Sequence, residues 1–316
     1  MLSRSVQGLY WIGRYVERTE RLCSLLQTQT EALVDRPTRD IYAGWRRIYG
    51  SIHREPPGGH MLSDSDDFTL ADSYTLAGDL TFERANPDSL WNCFAQAREN
   101  ARQMRHLITS EMWLRLNLTY LRLRNLEIED IWAGLPEDFY AGVLAEADAF
   151  NGAAAATLYR DERWQFFQLG RSVERAQLGP ALLLEQLAID ADEAEPAGGD
   201  WADILRIFHA LEAYARQKGA AVQPEAALDL LIADPLLPSS FIQSVQQIKD
   251  ALDALGPAPG AASAAAAQRA AGRLLAALQY DWVDGVDRPA LLASAAAQSR
   301  DLHFLITTAY FDYPLP

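Results

Sequence analysis

The stretch that decides the fold is FFQLGRSVERA at residues 166–176, together with a second copy, YWIGRYVERT, at residues 10–19. Each copy has an aromatic residue, then Gly-Arg, and then Glu-Arg beginning three residues after that arginine. Apolar residues recur at helical spacing around these charges, which predicts two long helices. A helix that is apolar on nearly all sides is buried, so the charges predict a polar band inside a helical bundle.

Helical periodicity continues along nearly the whole chain, and no alternating run of β-branched residues predicts a strand. The fold class predicted is all-α. A kink is expected at Gly179-Pro180, because proline lacks a backbone donor. The predicted loops are 58–78, 190–200 and 256–266, and the predicted helices are 3–34, 39–52, 89–106 with a bent continuation to 125, 138–149, 160–188, 201–218, 223–233, 240–255, 268–283 and 288–308.

Three motifs recur in the same order in the two parts of the chain. GRYVER at 13–18 returns as GRSVER at 170–175, and the other pairs are WRRIYGSI with WADILRIFHAL, and NPDSLWNCFAQARENA with DPLLPSSFIQSVQQIKDA. Such repetition predicts one domain over 1–316, built as a helical bundle from two similar tandem halves, approximately 1–155 and 156–316. A pseudo-two-fold axis between the halves would bring the two GR-x-VER segments together.

Composition excludes several classes of protein. The net charge of −15 argues against general binding to nucleic acid or to anionic membranes, both of which attract basic surfaces. No apolar run approaches the ~18 residues of a membrane span, and no leader segment is apparent, so a cytoplasmic location is expected. The two cysteines, Cys23 and Cys93, lie in apolar surroundings and are expected to be buried thiols.

Arginine supplies almost all of the positive charge, since Lys218 and Lys249 are the only lysines. Guanidinium tolerates burial better than ammonium does and binds carboxylate or phosphate with a planar fork. High genomic GC content would produce the same bias. Residues at i, i+4 and i+8 share a helical stripe, and three stripes have the order aromatic, Arg, Arg; these arginine ladders are Tyr10-Arg14-Arg18, Phe94-Arg98-Arg102 and Phe167-Arg171-Arg175.

The residues next to the ladders are apolar, so the stripes are predicted to lie inside the bundle. Buried guanidiniums need partners. In one interpretation Glu17 and Glu174, with Glu20, Glu99 and Glu111 as further candidates, neutralise the arginines in a lattice that sets helix register. In another interpretation arginine is in excess and leaves a cationic pocket for a carboxylate or phosphate. In a third, the ladders form a solvated or partner-docking surface.

Other catalytic patterns are weak or missing. Di-metal helical bundles use Glu-x-x-His pairs, whereas this chain has a single segment in the reverse order, His209-x-x-Glu212. Nucleophile elbows, phosphate-binding glycine loops and zinc spacings do not occur in the sequence. Neither a metal nor a cofactor is predicted.

Three long segments resemble a known family: MLSRSVQGLYWIGRYVERTERL at 1–22, SLWNCFAQARENARQMRHLITSEMWLRLN at 89–117 and FNGAAAATLYRDERWQFFQLGRSVERA at 150–176. They are similar, in order and over nearly the full length, to the bacterial alpha-E family, which is purely helical. The alanine run at 153–156 departs from the family pattern, where a more polar stretch is expected. The acidic segment at 63–67 is also individual to this chain.

The resemblance implies a set of charged site residues. The candidate catalytic carboxylates are Glu17, Glu174 and Glu111. The candidate substrate-binding residues are Arg14, Arg18, Arg98, Asn100, Arg102, Arg105, Arg160, Arg171 and Arg175. Clustered arginines lower the pKa of a neighbouring carboxylate, so binding and orientation of a ligand are favoured over proton transfer.

The resemblance also implies a partner, because alpha-E proteins are encoded beside, or fused to, a circularly permuted ATP-grasp protein. The implied function is an accessory or co-catalytic helical subunit of an ATP-grasp-dependent system that forms peptide or amide bonds. Its arginine cluster would bind the carboxylate or phosphate of a peptide or of a phosphorylated small molecule. In the alternatives, the chain is an enzyme for a separate acyl or amine transfer, or a non-catalytic scaffold that docks the ATP-grasp protein and forms homo-oligomers.

Overall fold

The computed structural model describes residues 3–57, 72–192, 198–256, 261–284 and 287–311, and every regular element within them is helical. The all-α prediction is confirmed. The helices in chain order are α1 (Ser3–Asp35), α2 (Thr38–Ser51), α3 (Ser73–Thr81), α4 (Leu90–Gln103), α5 (Ser110–Leu123), α6 (Ile128–Trp132), α7 (Pro136–Thr157), α8 (Glu162–Asp192), α9 (Gly198–Ile207), α10 (Leu211–Lys218), α11 (Pro224–Ala233), α12 (Phe241–Leu255), α13 (Ala261–Ala276) and α14 (Arg288–Tyr310). A π-helical turn (Ala277–Asp281) and a last helical turn (Trp282–Asp284) extend α13.

The two helices with the GR-x-VER segments, α1 and α8, pack against each other at the centre of the molecule. Around α1 lie α4, α7 and α9, and around α8 lie α12, α14 and α2. The helix that follows each central helix in the chain therefore packs on the other central helix, α2 on α8 and α9 on α1. An origin of this arrangement by duplication stays a prediction.

Burial explains why the central helices are so long. Leu9, Ile12 and Leu26 of α1 and Phe167 of α8 are fully or almost fully buried, and burial of an apolar side chain contributes roughly 1.5–3 kcal/mol. Helix α8 continues through Pro180 to Asp192, beyond its predicted end. Neighbouring helices on both sides stabilise α8 across a residue that removes a backbone hydrogen bond.

Several predicted helix boundaries were wrong. The segment 89–125 forms two helices, because Ser89 and Thr109 each cap a helix start by accepting from a backbone N–H three residues later. The segment 201–218 is also two helices, broken where His209 has a φ of 53°. Helix α7 does not end at Asn151-Gly152 but runs to Thr157, since the alanines that follow favour helix.

The predicted loops lie only partly within the described residues. Of the loop predicted at 58–78, residues 58–71 lie outside them, and the remainder begins α3, which Asp72 caps by accepting from the Thr75 N–H. Of the loop predicted at 190–200, residues 193–197 lie outside the described residues and the rest belongs to α8 and α9. Of the loop predicted at 256–266, residues 257–260 lie outside and residues 261–266 begin α13, so this part of the prediction was wrong. None of the described helices is long and apolar enough to cross a membrane.

Candidate functional site

Two glycines allow the central helices to approach closely. A Cβ on Gly13 of α1 would overlap the backbone carbonyl of Phe167, and a Cβ on Gly170 of α8 would overlap that of Tyr10. Only glycine avoids both overlaps, which brings the helix backbones together at this point. The residue after each glycine is the first arginine of its ladder, so the ladders meet across this crossing.

The arginines of each helix pair with the glutamate of the other. Glu174 accepts from Nε of Arg14 and from Nε of Arg18, each at 2.5 Å. Glu17 accepts from Nε of Arg175 at 2.7 Å and from Nε of Arg171 at 3.0 Å. Both carboxylates thus bridge two guanidiniums, and the two halves of the cluster mirror each other.

These ion pairs decide the charge state of the two glutamates. Burial raises the pKa of Glu174, but Arg14 and Arg18 outweigh burial and lower the pKa below its ordinary value. Burial is likewise outweighed at Glu17, where Arg175 and Arg171 lower the pKa. Both carboxylates are therefore ionised at neutral pH and are weak proton acceptors.

Helix α14 completes one side of the cluster. Arg14 donates to Oε1 of Gln177 at 2.6 Å and lies 3.1 Å from Nε2 of His303, and the Tyr10 hydroxyl is 2.7 Å from Nδ1 of the same imidazole. Burial, followed by the charge of Arg14, lowers the pKa of His303 to about 4. His303 is therefore neutral at pH 7 and adds no charge to the cluster.

A third carboxylate, Glu20, lies at the opposite side. Its Oε2 is 3.2 Å from Nη2 of Arg171, and its Oε1 accepts from the Asn151 side-chain amide. Burial is the main cause that raises the pKa of Glu20; Arg171 opposes this shift and Glu17 adds to it. Glu20 thus exchanges a proton at a higher pH than Glu17 or Glu174.

A pocket of about 230 Å³ opens beside Glu20, and we call it the Arg21 pocket. Arg21 is 8% exposed, donates to the Ile207 carbonyl at 2.8 Å and stacks on the Phe208 ring. Burial lowers the pKa of this guanidinium to about 10, so it remains charged at neutral pH. The pocket walls come from α1, α8 and the segments that follow α9 and α11: Glu17, Glu20, Arg21, Ser24, Arg175, Ile207, Phe208, His209, Leu237, Pro238 and Ser239.

A smaller pocket of about 100 Å³ lies on the other side of the crossing, and we call it the Asp88 pocket. Asp88 accepts from Nη1 of Arg18, and its second oxygen is 3.5 Å from Nη1 of Arg54. The lining residues are Arg18, Ser51, Ile52, His53, Asp88, Gln177, Leu178 and Arg300. Here the chain itself supplies the acid that the arginine binds.

The third arginine ladder does not join the cluster, contrary to the expectation that its stripe is internal. Arg98 is half-buried, lies over the Tyr120 ring and donates to Asn117, whereas the side chain of Arg102 is 59% exposed and pairs with Glu99 on its own helix. Each i+4 step rotates a stripe by about 40°. Because α4 is covered on one face only, this rotation carries Arg102 into solvent.

The remaining predicted residues also lie apart from the crossing. Arg105 is exposed and Arg160 lies over the Trp164 ring, 3.4 Å from its centre. Asn100 is half-buried on α4, and Glu111 is exposed in the first turn of α5. The structure thus brings together Arg14, Arg18, Arg171, Arg175, Glu17 and Glu174 from the predicted set, and leaves Arg98, Asn100, Arg102, Arg105, Arg160 and Glu111 elsewhere.

Several residues of the site were not among the predicted site residues. Glu20 was named only as a possible lattice partner. Arg21 lies on the same face of the first helix as the GR-x-VER charges, so helical spacing offered a signal for it. Asp88 and His209 come from segments between helices and His303 comes from α14, and no local pattern marks these three residues. Their placement depends on tertiary packing.

Other chemistry finds little support in the described part of the chain. No group of three or more His, Cys, Asp or Glu residues there is arranged to hold a metal ion. Cys23 and Cys93 are both buried and unpaired, as predicted. Burial raises the pKa of both thiols, that of Cys93 to about 12, so neither is a thiolate at neutral pH.

Comparison with known proteins places the chain in a family. No curated protein and no solved structure matches it. The model of the family Alpha-E, described as a predicted alpha-helical domain with a conserved ER motif, matches residues 1–311. Glu-Arg pairs stand at the centre of the crossing, at Glu17-Arg18 and Glu174-Arg175. The chain belongs to the Alpha-E family.

Proposed function

We propose that this protein is an anion-binding accessory subunit of an ATP-grasp-dependent system that forms peptide or amide bonds. Its resemblance to proteins encoded beside circularly permuted ATP-grasp proteins supports the partner. The observation that carries the binding role is Arg21. This guanidinium is buried, lines a pocket and makes no ion pair with any described residue.

The ladder arginines themselves support a structural role. Each of the four at the crossing is paired with Glu17 or Glu174, which occupies most of its donors. Nη1 of Arg175 is the exception, because its acceptor is the Pro238 carbonyl at 3.3 Å. The lattice therefore fixes the register of α1 and α8, and ligand binding moves to its edge. A tandem duplication of the helical half would account for the mirrored pairs.

Charge balance at the edge favours an anion. The Arg21 pocket has guanidiniums from Arg21 and Arg175 on its wall, and Arg171 lies just behind it. Against these stand Glu17, which is ionised, and Glu20, whose raised pKa keeps part of it protonated. A buried cation without an ion pair is costly even when a carbonyl accepts from it, as Ile207 does from Arg21, and a bound carboxylate or phosphate would offset part of that cost.

A second candidate function is catalysis, and Glu20 is the observation that favours it. A carboxylate with a raised pKa on the wall of a pocket is suited to proton transfer near neutral pH. In this alternative Glu20, rather than Glu17 or Glu174, accepts the proton of an amine that attacks an activated acyl group. Glu20→Gln would then abolish product formation while the protein still bound the anion.

Thermal unfolding with added acetate or phosphate tests the proposed binding role. We expect either anion to raise the melting temperature of the wild-type protein. At an anion concentration of a hundred times Kd, the free energy of unfolding should rise by about 2.7 kcal/mol. Arg21→Gln should remove this gain without lowering the melting temperature of the free protein, because it removes an uncompensated charge. Arg102→Gln, at an exposed arginine of α4, is the matched control and should respond like the wild type.

The same experiment separates binding from the scaffold alternative. If neither anion stabilises the wild-type protein, or if Arg21→Gln responds as strongly, the lattice is a scaffold only. Co-purification with the circularly permuted ATP-grasp protein tests the partner directly. Product formation by the reconstituted pair should fall with Arg21→Gln and not with Arg102→Gln.

A further inference from the structure

The Arg21 pocket and the Asp88 pocket are built from corresponding residues. Arg175 on the wall of the first corresponds to Arg18 on the wall of the second, since each is the last residue of a GR-x-VER segment. Three residues beyond the glutamate in each helix stand Glu20 and Gln177. The two pockets therefore repeat one design on the two sides of the crossing.

The backbone conformation of one residue in each pocket independently supports the correspondence between the two pockets. His53 and His209 are the only described non-glycine residues with a positive φ, 55° and 53°, and each lines one of the two pockets. Each follows the tryptophan-containing helix that comes after a central helix in the chain. A left-handed conformation costs roughly 1 kcal/mol for a non-glycine residue, so its recurrence at both pockets marks equivalent positions.

Helix capping shows which residue of the Arg21 pocket corresponds to Asp88. Ser89 caps α4 by accepting from the Asn92 N–H, and Ser240 caps α12 by accepting from the Gln243 N–H. Asp88 directly precedes the first cap, and Ser239 directly precedes the second. Asp88 in one pocket thus corresponds to Ser239 in the other.

The two pockets differ at the position that decides their charge. Nε of Arg18 donates to Glu174, and Nη1 of Arg18 donates to the Asp88 carboxylate. Nε of Arg175 donates to Glu17. Among the described residues its Nη1 donates only to the Pro238 carbonyl, at 3.3 Å, because Ser239 has no carboxylate. The Ser239 hydroxyl instead donates to the Phe208 carbonyl at 2.6 Å.

The pocket that has Ser239 in place of Asp88 also has an arginine where the other pocket has an apolar side chain. Arg21 stands where the Asp88 pocket has Leu178, and the volume rises from about 100 to about 230 Å³. Glu20 in turn stands where the Asp88 pocket has Gln177, so two glutamates remain on the wall of the Arg21 pocket. Among the described residues, however, no carboxylate forms an ion pair with Arg21 or accepts from Nη1 of Arg175. Two guanidiniums with such unused donors suit a carboxylate from outside the chain.

We propose that the Arg21 pocket binds a carboxylate on a short aliphatic stem, such as the side chain or C-terminus of an acidic peptide, in the place that Asp88 takes in the other pocket. The inference rests on the proposed anion-binding function and narrows its ligand. Nη1 of Arg175 donates to one carboxylate oxygen, and Arg21 donates to the other. Glu17 and Glu20 nearby disfavour the second negative charge of a phosphate, so a monoanion is preferred.

Exchange of the two corresponding residues tests the proposal, with propionate and inorganic phosphate as probes in calorimetric titrations of the full chain. The wild-type protein should bind one propionate, and more tightly than phosphate. Ser239→Asp should weaken propionate binding at least tenfold, because the new carboxylate occupies the same guanidiniums. Ser239→Asn has nearly the same size without the charge and should keep most of the affinity.

The reverse exchange should create a second site. Asp88→Ser removes the internal acid from Arg18, and the stoichiometry of propionate binding should rise from one to two. If Ser239→Asp fails to fold, two other results test the proposal. These are the second propionate site in Asp88→Ser and the tighter binding of propionate than of phosphate by the wild-type protein. An unchanged affinity in Ser239→Asp, or one site in Asp88→Ser, overturns the proposal.

The outcomes also separate this inference from the proposed function. If phosphate binds more tightly than propionate and Arg21→Gln abolishes its binding, anion binding stands and the carboxylate assignment fails. If neither probe binds the wild-type protein, both fail. Binding of propionate that Arg21→Gln leaves unchanged contradicts the site itself.

Discussion

Glu174 holds two guanidiniums inside the protein, and this single residue shows how the cluster is stabilised. Its carboxylate is buried and accepts from Arg14 and Arg18, while Arg18 also reaches Asp88. Among the described residues Arg14 pairs with no second carboxylate, and its other polar partners are Gln177 and His303. Removal of the Glu174 charge therefore leaves Arg14 uncompensated in a desolvated site.

We expect Glu174→Gln to lower the free energy of unfolding by about 3–5 kcal/mol, the usual effect of breaking a buried ion pair from one side. Chemical denaturation followed by circular dichroism measures this change. Glu111→Gln is the control, because Glu111 is exposed, and it should change stability by less than about 0.5 kcal/mol. Equal effects of the two substitutions would contradict a stabilising lattice.

At the scale of elements, the crossing of α1 and α8 depends on two glycines in the interior of long helices. Glycine weakens an exposed helix by about 1 kcal/mol relative to alanine, so its use here needs a reason. The reason is the backbone of the other helix, which lies where a Cβ would be at Gly13 and at Gly170. Close approach then lets short side chains such as glutamate span the gap.

Gly13→Ala should therefore destabilise the protein by about 1–3 kcal/mol, as overpacking of a tight contact does. Gly142→Ala in α7 is the matched control, because nothing lies within 4 Å of the Cβ that it would add. That substitution should stabilise the protein by about 1 kcal/mol. Thermal melts of both variants give the signs, and stabilisation by Gly13→Ala would disprove the close contact.

At the scale of the whole molecule, each half of the chain supplies the partners for the charges of the other. Glu17 on α1 pairs with Arg171 and Arg175 on α8, and Glu174 on α8 pairs with Arg14 and Arg18 on α1. Helix α2 of the first half also packs on α8. Neither half can therefore bury its own ladder alone.

We expect a chain divided between α7 and α8, at Tyr159-Arg160, to yield two parts that do not fold separately. Each part alone would leave its arginines and its glutamate without partners. Mixed together, the parts should form a one-to-one complex that unfolds in a single cooperative step. Size-exclusion chromatography and circular dichroism measure this, and cooperative unfolding of either part alone would contradict a single domain over 1–316.

The sequence by itself determined the helical class and the importance of the two GR-x-VER segments, because helical periodicity is a local property and the repeated motif can be read directly from the chain. It also predicted six residues that the crossing brings together. The same local spacing gave the third ladder equal weight, although Arg98 and Arg102 lie at the rim. A stripe on a helix shows which residues share a face, and it does not show how many neighbours cover that face.

Only the tertiary structure decided the charge balance of the site. Asp88 reaches the cluster from the turn before α4, and His303 reaches it from α14 far away in the chain. That Ser239 corresponds to Asp88 is visible only when the two pockets are compared. Neutralisation depends on distances of a few ångströms between helices, since ion-pair energies fall off with separation and with exposure to water. The sequence could therefore name the arginines, but only packing could show that each crossing arginine is paired with a glutamate and that Arg21 is left facing a pocket.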